Sequence, residues 1–174
     1  MRSALLVTLL VLSGCGTVTE LYCSGLGDYD VGARLARDGR DFGAVQSEIA
    51  ACQGTAAPIA ADRARAGWEA GRATYCTPSN AARLGQSGHT ITGICTAQER
   101  AAMAQPFRTG LLVREIDRDL HSARARLDDL RAELRATPTD DAQKRRRIRG
   151  EIDTAERRLA RLEDRRFFLL ALAG

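Results

Sequence analysis

The sequence predicts a mainly α protein: a small disulfide-stapled domain, helical and irregular, followed by a long antiparallel two-helix hairpin of coiled-coil type. Three observations carry this expectation. Apolar residues recur by alternating threes and fours over residues 113–134 and again over 148–169, the spacing of a heptad seam. A Thr137-Pro138 break separates the two stretches. The half before residue 97 is punctuated by glycine and holds four cysteines beyond Cys15, an even number suited to pairing.

The first element is a targeting segment. Met1-Arg2 gives a short basic start, and Ala4 to Leu12 is an apolar run interrupted by Thr8. The run is too short to cross a bilayer, which takes about 20 residues, and it has the form of a signal-peptide core. Ser13 and Gly14 are small enough for a peptidase to approach the backbone before Cys15, whose thiol is the nucleophile expected to take a diacylglycerol. The block Leu12-Ser13-Gly14-Cys15 resembles the lipobox of bacterial lipoproteins. That resemblance implies a chain anchored by lipid at Cys15 in the bacterial cell envelope. Gly16 in place of an acidic residue favours the outer membrane, facing the periplasm. The expected organisation is a signal peptide over 1–14, a Cys/Gly-rich domain over 15–96 and a helical hairpin over 97–174.

Export changes the reading of the cysteines. With Cys15 acylated, Cys23, Cys52, Cys76 and Cys95 are left, and an oxidising periplasm suggests two disulfides. Of the three pairings, Cys23–Cys52 with Cys76–Cys95 is preferred, being sequential and free of threaded loops. No metal site is expected: His89 and His121 are the only histidines, no Cys-x-x-Cys occurs, and nothing has zinc-ligand spacing. No cofactor is implied. A net charge of +4, from 26 basic and 22 acidic residues, is too mild to point to nucleic acid.

Within the small domain, Asp41 is expected to cap a helix running to Cys52, with Phe42, Val45, Ile49 and Cys52 on one face. A second helix is expected from about Pro58 to Tyr75, with Ala61, Ala64, Trp68, Gly71 and Tyr75 on one stripe. Gly67 and Gly71 disfavour a helix interior and mark the close approach of another backbone. Thr77 to Asn80 reads as a turn, and residues 84–95 as an irregular loop held by its cysteines, with glycines at positive φ.

Here the chain resembles a family of proteobacterial lipoproteins classed as a domain of unknown function. The likeness is carried by Gly67-Trp68-Glu69-Ala70-Gly71 leading to Tyr75-Cys76-Thr77, then Leu84-Gly85-Gln86-Ser87-Gly88, then Gly93-Ile94-Cys95, over about residues 12–135. It implies an envelope lipoprotein and brings no activity with it.

Thr96 and Glu99 form a capping box that opens the hairpin. Pro106 is expected to bend or restart the helix, and Pro138 to stand first in the second one after a Thr137 cap. Folding back at that break sets Leu127 against Ile148, Ala123 against Ile152, Leu120 against Ala155, Ile116 against Leu159 and Val113 against Leu162. A parallel homodimer through the same seam is the rival arrangement. At the base, Phe107, Phe167 and Phe168 are expected to pack the hairpin onto the small domain. At the tip, Lys144, Arg145, Arg146, Arg147 and Arg149 form a candidate patch for anionic polymers or lipid headgroups, the alternative being a solvated helix face balanced by nearby carboxylates.

No acid–base or nucleophile constellation is legible, apart from His89 near Tyr75 in the Gly-rich loop, the basis of a hydrolase alternative. The best expectation is a membrane-anchored binding or scaffolding protein with an envelope protein partner or an anionic polymer as its target.

Overall fold

A computed structural model describes residues 20–173, all of them in helices, turns or irregular backbone. Position 15, the expected lipid site, lies outside the described residues. The chain divides into two compact units, residues 20–77 with 91–100 and residues 78–90 with 101–173.

The first unit holds a helical turn over 20–24 and helices α1 (Asp28–Arg37), α2 (Phe42–Cys52) and α3 (Ala61–Tyr75). α1 was not among the expected elements, although its ends carry ordinary signals. Asp28 and Asp30 lie in its first turn and Arg34 and Arg37 in its last, as the helix dipole favours. Gly39 closes it at φ +74°, where Gly39 N donates to Ala36 O and Arg40 N to Leu35 O, both at 2.9 Å. This is a Schellman closure, and it needs a residue without a Cβ penalty. α2 starts as expected, with Ala44 N donating to Asp41 Oδ1 at 3.0 Å.

α1 is the backbone that the α3 glycines wait for. A Cβ at Gly67 would strike Tyr29 O, one at Gly71 would strike Ala33 O, and one at Gly32 would strike Ala64 O. The two helices therefore cross backbone against backbone. Around that crossing lies a core of Cys23, Val31, Val45, Cys52, Ile59 and Ala64, flanked by Leu26, Leu35, Phe42, Ile49 and Trp68. The Cys23–Cys52 disulfide lies within it, and Cys76–Cys95 joins the end of α3 to the segment before Thr96. Both bridges are the sequential ones.

The second unit opens with α4 (Pro78–Ser87), a helix where a turn and loop were expected. Pro78 stands at its first position, where a missing N–H costs nothing. Gly85 lies in the helix, and only Gly88, at φ +77°, takes the positive-φ conformation expected of the loop. α4 lies on α5 through glycine again: a Cβ on Gly85 would meet Phe107 O, and one on Gly110 would meet Ala82 O.

Helices α5 (Ala97–Ala136) and α6 (Ala142–Ala173) form the antiparallel hairpin. α5 continues through Pro106 without restarting. Its seam of Val113, Ile116, Leu120, Ala123, Leu127 and Leu130 is buried. The register differs from the expected one. Arg124 pairs with Glu163 at 2.9 Å and Arg166 with Asp117 at 2.5 Å. Ala155 lines a groove with Ala123, whereas Leu120 lines another with Glu163 and Arg166. The apex has moved by about one helical turn. Its cause is the break: residues 138–141 form a turn, and Asp141, not Thr137, caps α6 by accepting Lys144 N–H at 3.0 Å. Thr137 instead bonds back to Glu133 O, at 2.9 Å from its N–H and 2.8 Å from its hydroxyl. Of the expected aromatic base, Phe167 and Phe168 are open, 77% and 63% exposed, and Phe107 is half-buried.

Candidate functional site

The five basic tip residues separate into different roles. Arg145 Nη1 donates to Leu134 O at 3.0 Å and Thr137 O at 2.7 Å, satisfying carbonyls that the end of α5 leaves without helical partners. Lys144 Nζ and Arg147 Nη2 lie 3.6 and 3.7 Å from Glu133 Oε1, and Arg147 also pairs with Glu151 at 3.0 Å. Arg146 and Arg149 point to no carboxylate among the described residues. The exposed surplus at the tip is thus two guanidinium groups.

His89 is exposed, with Nδ1 2.9 Å from Ser87 Oγ. A Ser–His contact invites a nucleophile–base reading, but the serine hydroxyl is directed at Arg83 O (2.9 Å) and Leu84 O (3.2 Å). The two carbonyls compete with the imidazole for the one hydroxyl proton, and the histidine tautomer sets which partner donates in the Ser87–His89 contact. Tyr75, the other member of that sequence-level group, is buried; its hydroxyl accepts Thr92 N–H at 3.2 Å.

Cys76 Sγ, Cys95 Sγ and a Glu99 carboxylate oxygen lie within 4.8 Å of one another. The sulfurs are joined in a disulfide and offer no thiolate to a metal. Glu99 Oε2 is also committed: it accepts Thr96 N–H and Arg72 Nη1–H, each at 2.7 Å. These bonds, Thr96's first and then Arg72's, hold the Glu99 carboxyl below the ordinary glutamate pKa. The Thr96–Glu99 capping box was legible in the sequence; Arg72 as its third member was not, since only folding brings α3 to that point.

Two grooves run along the hairpin, one on each side of the seam. On one side, a groove of about 460 Å³ has Ala123, Leu130 and Ala155 at its floor and Arg126, Arg147 and Arg158 along its edges. Gly150 opens into it, and a Cβ at that position would meet nothing within 4 Å. On the other, about 630 Å³ is bordered by Asp117, Arg124, Glu163 and Arg166, all joined in ion pairs. A third cleft, in the first unit, lies beside Trp68 and Phe42. The Trp68 indole there donates to Arg40 O at 3.0 Å, and the Arg65 guanidinium sits 4.2 Å over the Phe42 ring. None of the helices among the described residues is long and apolar enough to cross a membrane.

The fold and these surfaces define a helical, disulfide-stapled protein that carries a long two-helix hairpin with open lateral grooves. Over residues 29–112 the chain matches the family described as "Protein of unknown function (DUF2799)", and it is similar to that uncharacterised family across this stretch. The match spans α1 through the start of the hairpin and includes the Tyr75-Cys76-Thr77 and Gly93-Ile94-Cys95 blocks. No curated protein and no solved structure matches the chain.

Proposed function

We propose that this chain is a bacterial envelope lipoprotein, acylated at Cys15 and facing the periplasm from the outer membrane, whose hairpin binds a protein partner without catalysing a reaction. The observation that carries the reading is the asymmetry of the hairpin. The α5 seam is buried, whereas among the described residues of α6 only Ile148 is fully covered; Ile152, Ala155, Leu159, Leu162 and Leu169 stay half-buried. Phe167 and Phe168 extend that open stripe with exposed aromatic surface. A lone two-helix seam that leaves an apolar stripe facing water is a surface suited to another helix. The two disulfides suit an oxidising compartment.

The test is made in the native host. Intact mass of the purified product should show a chain starting at Cys15 with attached acyl groups, and Cys15→Ser should remove them. A photo-crosslinker at Leu159 or Phe168 should trap a discrete partner that the same group at the outward-facing Asp153 does not. An unprocessed, unacylated product sinks the localisation; identical crosslinking at all three positions sinks the binding role.

A further inference from the structure

From the two hairpin grooves, we infer that the one over Ala123 and Ala155 takes an amphipathic helix with an acidic flank, completing a three-helix coiled coil. The inference deepens the binding role proposed above and rests on it.

The shape of the groove comes from its small residues. Ala123 and Ala155 line it together, with Gly150 beside them. These three small residues leave a trough of about 460 Å³. Small residues lower the floor, so a third helix can approach to a normal interaxial distance of about 8–10 Å. On α6 the trough is lined by Arg147, Gly150, Glu151, Thr154, Ala155 and Arg158, and it meets the half-open stripe of Ile152, Ala155 and Leu159 at Ala155. A helix laid along it covers Ala155 and borders that stripe.

Charge selects the occupant. α6 carries ten basic and five acidic residues, so the helix with the open stripe holds a surplus of five positive charges. The groove on the opposite side is neutralised internally, by Arg124–Glu163 and Arg166–Asp117. The groove over Ala123 is not. Arg126 and Arg147 share one carboxylate, that of Glu151, at 3.1 and 3.0 Å, and Arg158 has no ion pair among the described residues. Glu151 is the one carboxylate lining the groove, and Glu133, 3.7 Å from Arg147, is shared with Lys144; the three guanidinium groups therefore leave about two positive charges facing the occupant. A second copy would bring its own basic α6 stripe to that edge and meet like charge. A helix with Glu or Asp on the positions flanking its apolar seam meets opposite charge and can form bidentate pairs with arginine.

The probe is a synthetic helix-forming peptide of about 21 residues, Leu at the seam positions and Glu at the flanks, with a twin that has Lys in place of Glu. Binding to the full soluble chain, with Cys15→Ser replacing the lipid site, is read by fluorescence anisotropy. The acidic peptide should bind at least about tenfold tighter than its basic twin, and the preference should collapse at about 0.5 M salt. Ala155→Glu and Arg158→Glu should each weaken it about tenfold or more, while Asp153→Arg, off the groove, leaves it unchanged. Circular dichroism of each variant checks that the hairpin is intact, and Gly150→Trp is a second, uncharged block of the same trough. Equal binding of the two peptides, no binding of either, indifference to both Ala155→Glu and Gly150→Trp, or a dimer that competes with the peptide would overturn the inference. So would binding to anionic phosphatidylglycerol vesicles with no binding to the acidic peptide. Should the peptides fail while the Leu159 crosslink still traps a partner in the host, the groove assignment falls and the binding role stands.

Discussion

Arg72 on α3 and Glu99 in the first turn of α5 meet at a single carboxylate oxygen, which also receives the N–H of Thr96. One atom thus closes the capping box of the longest helix and ties that helix start to α3, beside the Cys76–Cys95 bridge. The pairing is half-buried, with the two side chains 24% and 28% exposed.

That relationship gives a pH signature. The folded-state pKa of Glu99 is held below its ordinary value of 4.5 by bonds to the ionised form. A group with a depressed folded pKa adds stability above its unfolded pKa and loses it as pH falls through the folded value. The stability gap between the native chain and Glu99→Gln, from urea unfolding between about pH 7 and pH 2.5, should therefore be constant above about pH 5 and close in acid. A gap that stays level through acid would contradict the ion-pair and capping roles.

The α1–α3 crossing should tolerate no methyl group. Gly32→Ala and Gly67→Ala place a Cβ against the carbonyl oxygens of Ala64 and Tyr29, backbone atoms that cannot swing aside. Each should cost about 2 kcal/mol or more, within the range for overpacked cores. Gly150→Ala is the contrast: its Cβ meets open space inside a helix, and the substitution should stabilise by about 0.5–1 kcal/mol. Urea midpoints of the three variants decide this.

Removing one staple should cost more than any surface change. The Cys76–Cys95 bridge spans 19 residues and Cys23–Cys52 spans 29. On the chain-entropy account each is worth about 3–4 kcal/mol. The double change Cys76→Ser with Cys95→Ser, compared with the native chain at fixed pH, should show a loss of that order. A loss below about 1 kcal/mol would mean the bridge is idle.

At the hairpin tip, Arg145 and Arg146 are neighbours in the chain with opposite expectations. Arg145 bonds two carbonyls that end α5, so Arg145→Ala should destabilise by about 1–2 kcal/mol. Arg146 is exposed, and Arg146→Ala should change stability by less than about 0.5 kcal/mol. Thermal unfolding of the pair separates the structural arginine from the surface one.

Some features were legible because they depend on residues close in the chain. Asp41 caps α2, Thr96 and Glu99 close their box, and the 3–4 spacing of Val113 through Leu130 buries one face of α5. The cysteine pairing followed from even count and sequential order. Gly67 and Gly71 announced a backbone contact but could not name its partner, since α1 lies some 35 residues earlier and reads weakly on its own. The Gly39 closure was the signal that could have located α1.

By itself the sequence determined the helices' faces, their caps and the covalent staples, because periodicity, capping chemistry and thiol parity act within a turn or depend only on which residues exist. Tertiary structure alone decided which backbone fills the Gly67–Gly71 notch, that Arg72 reaches Glu99, and where α6 slides along α5. A heptad seam repeats, so several registers bury similar apolar area; the turn at residues 138–141, with Asp141 capping α6, chooses among them.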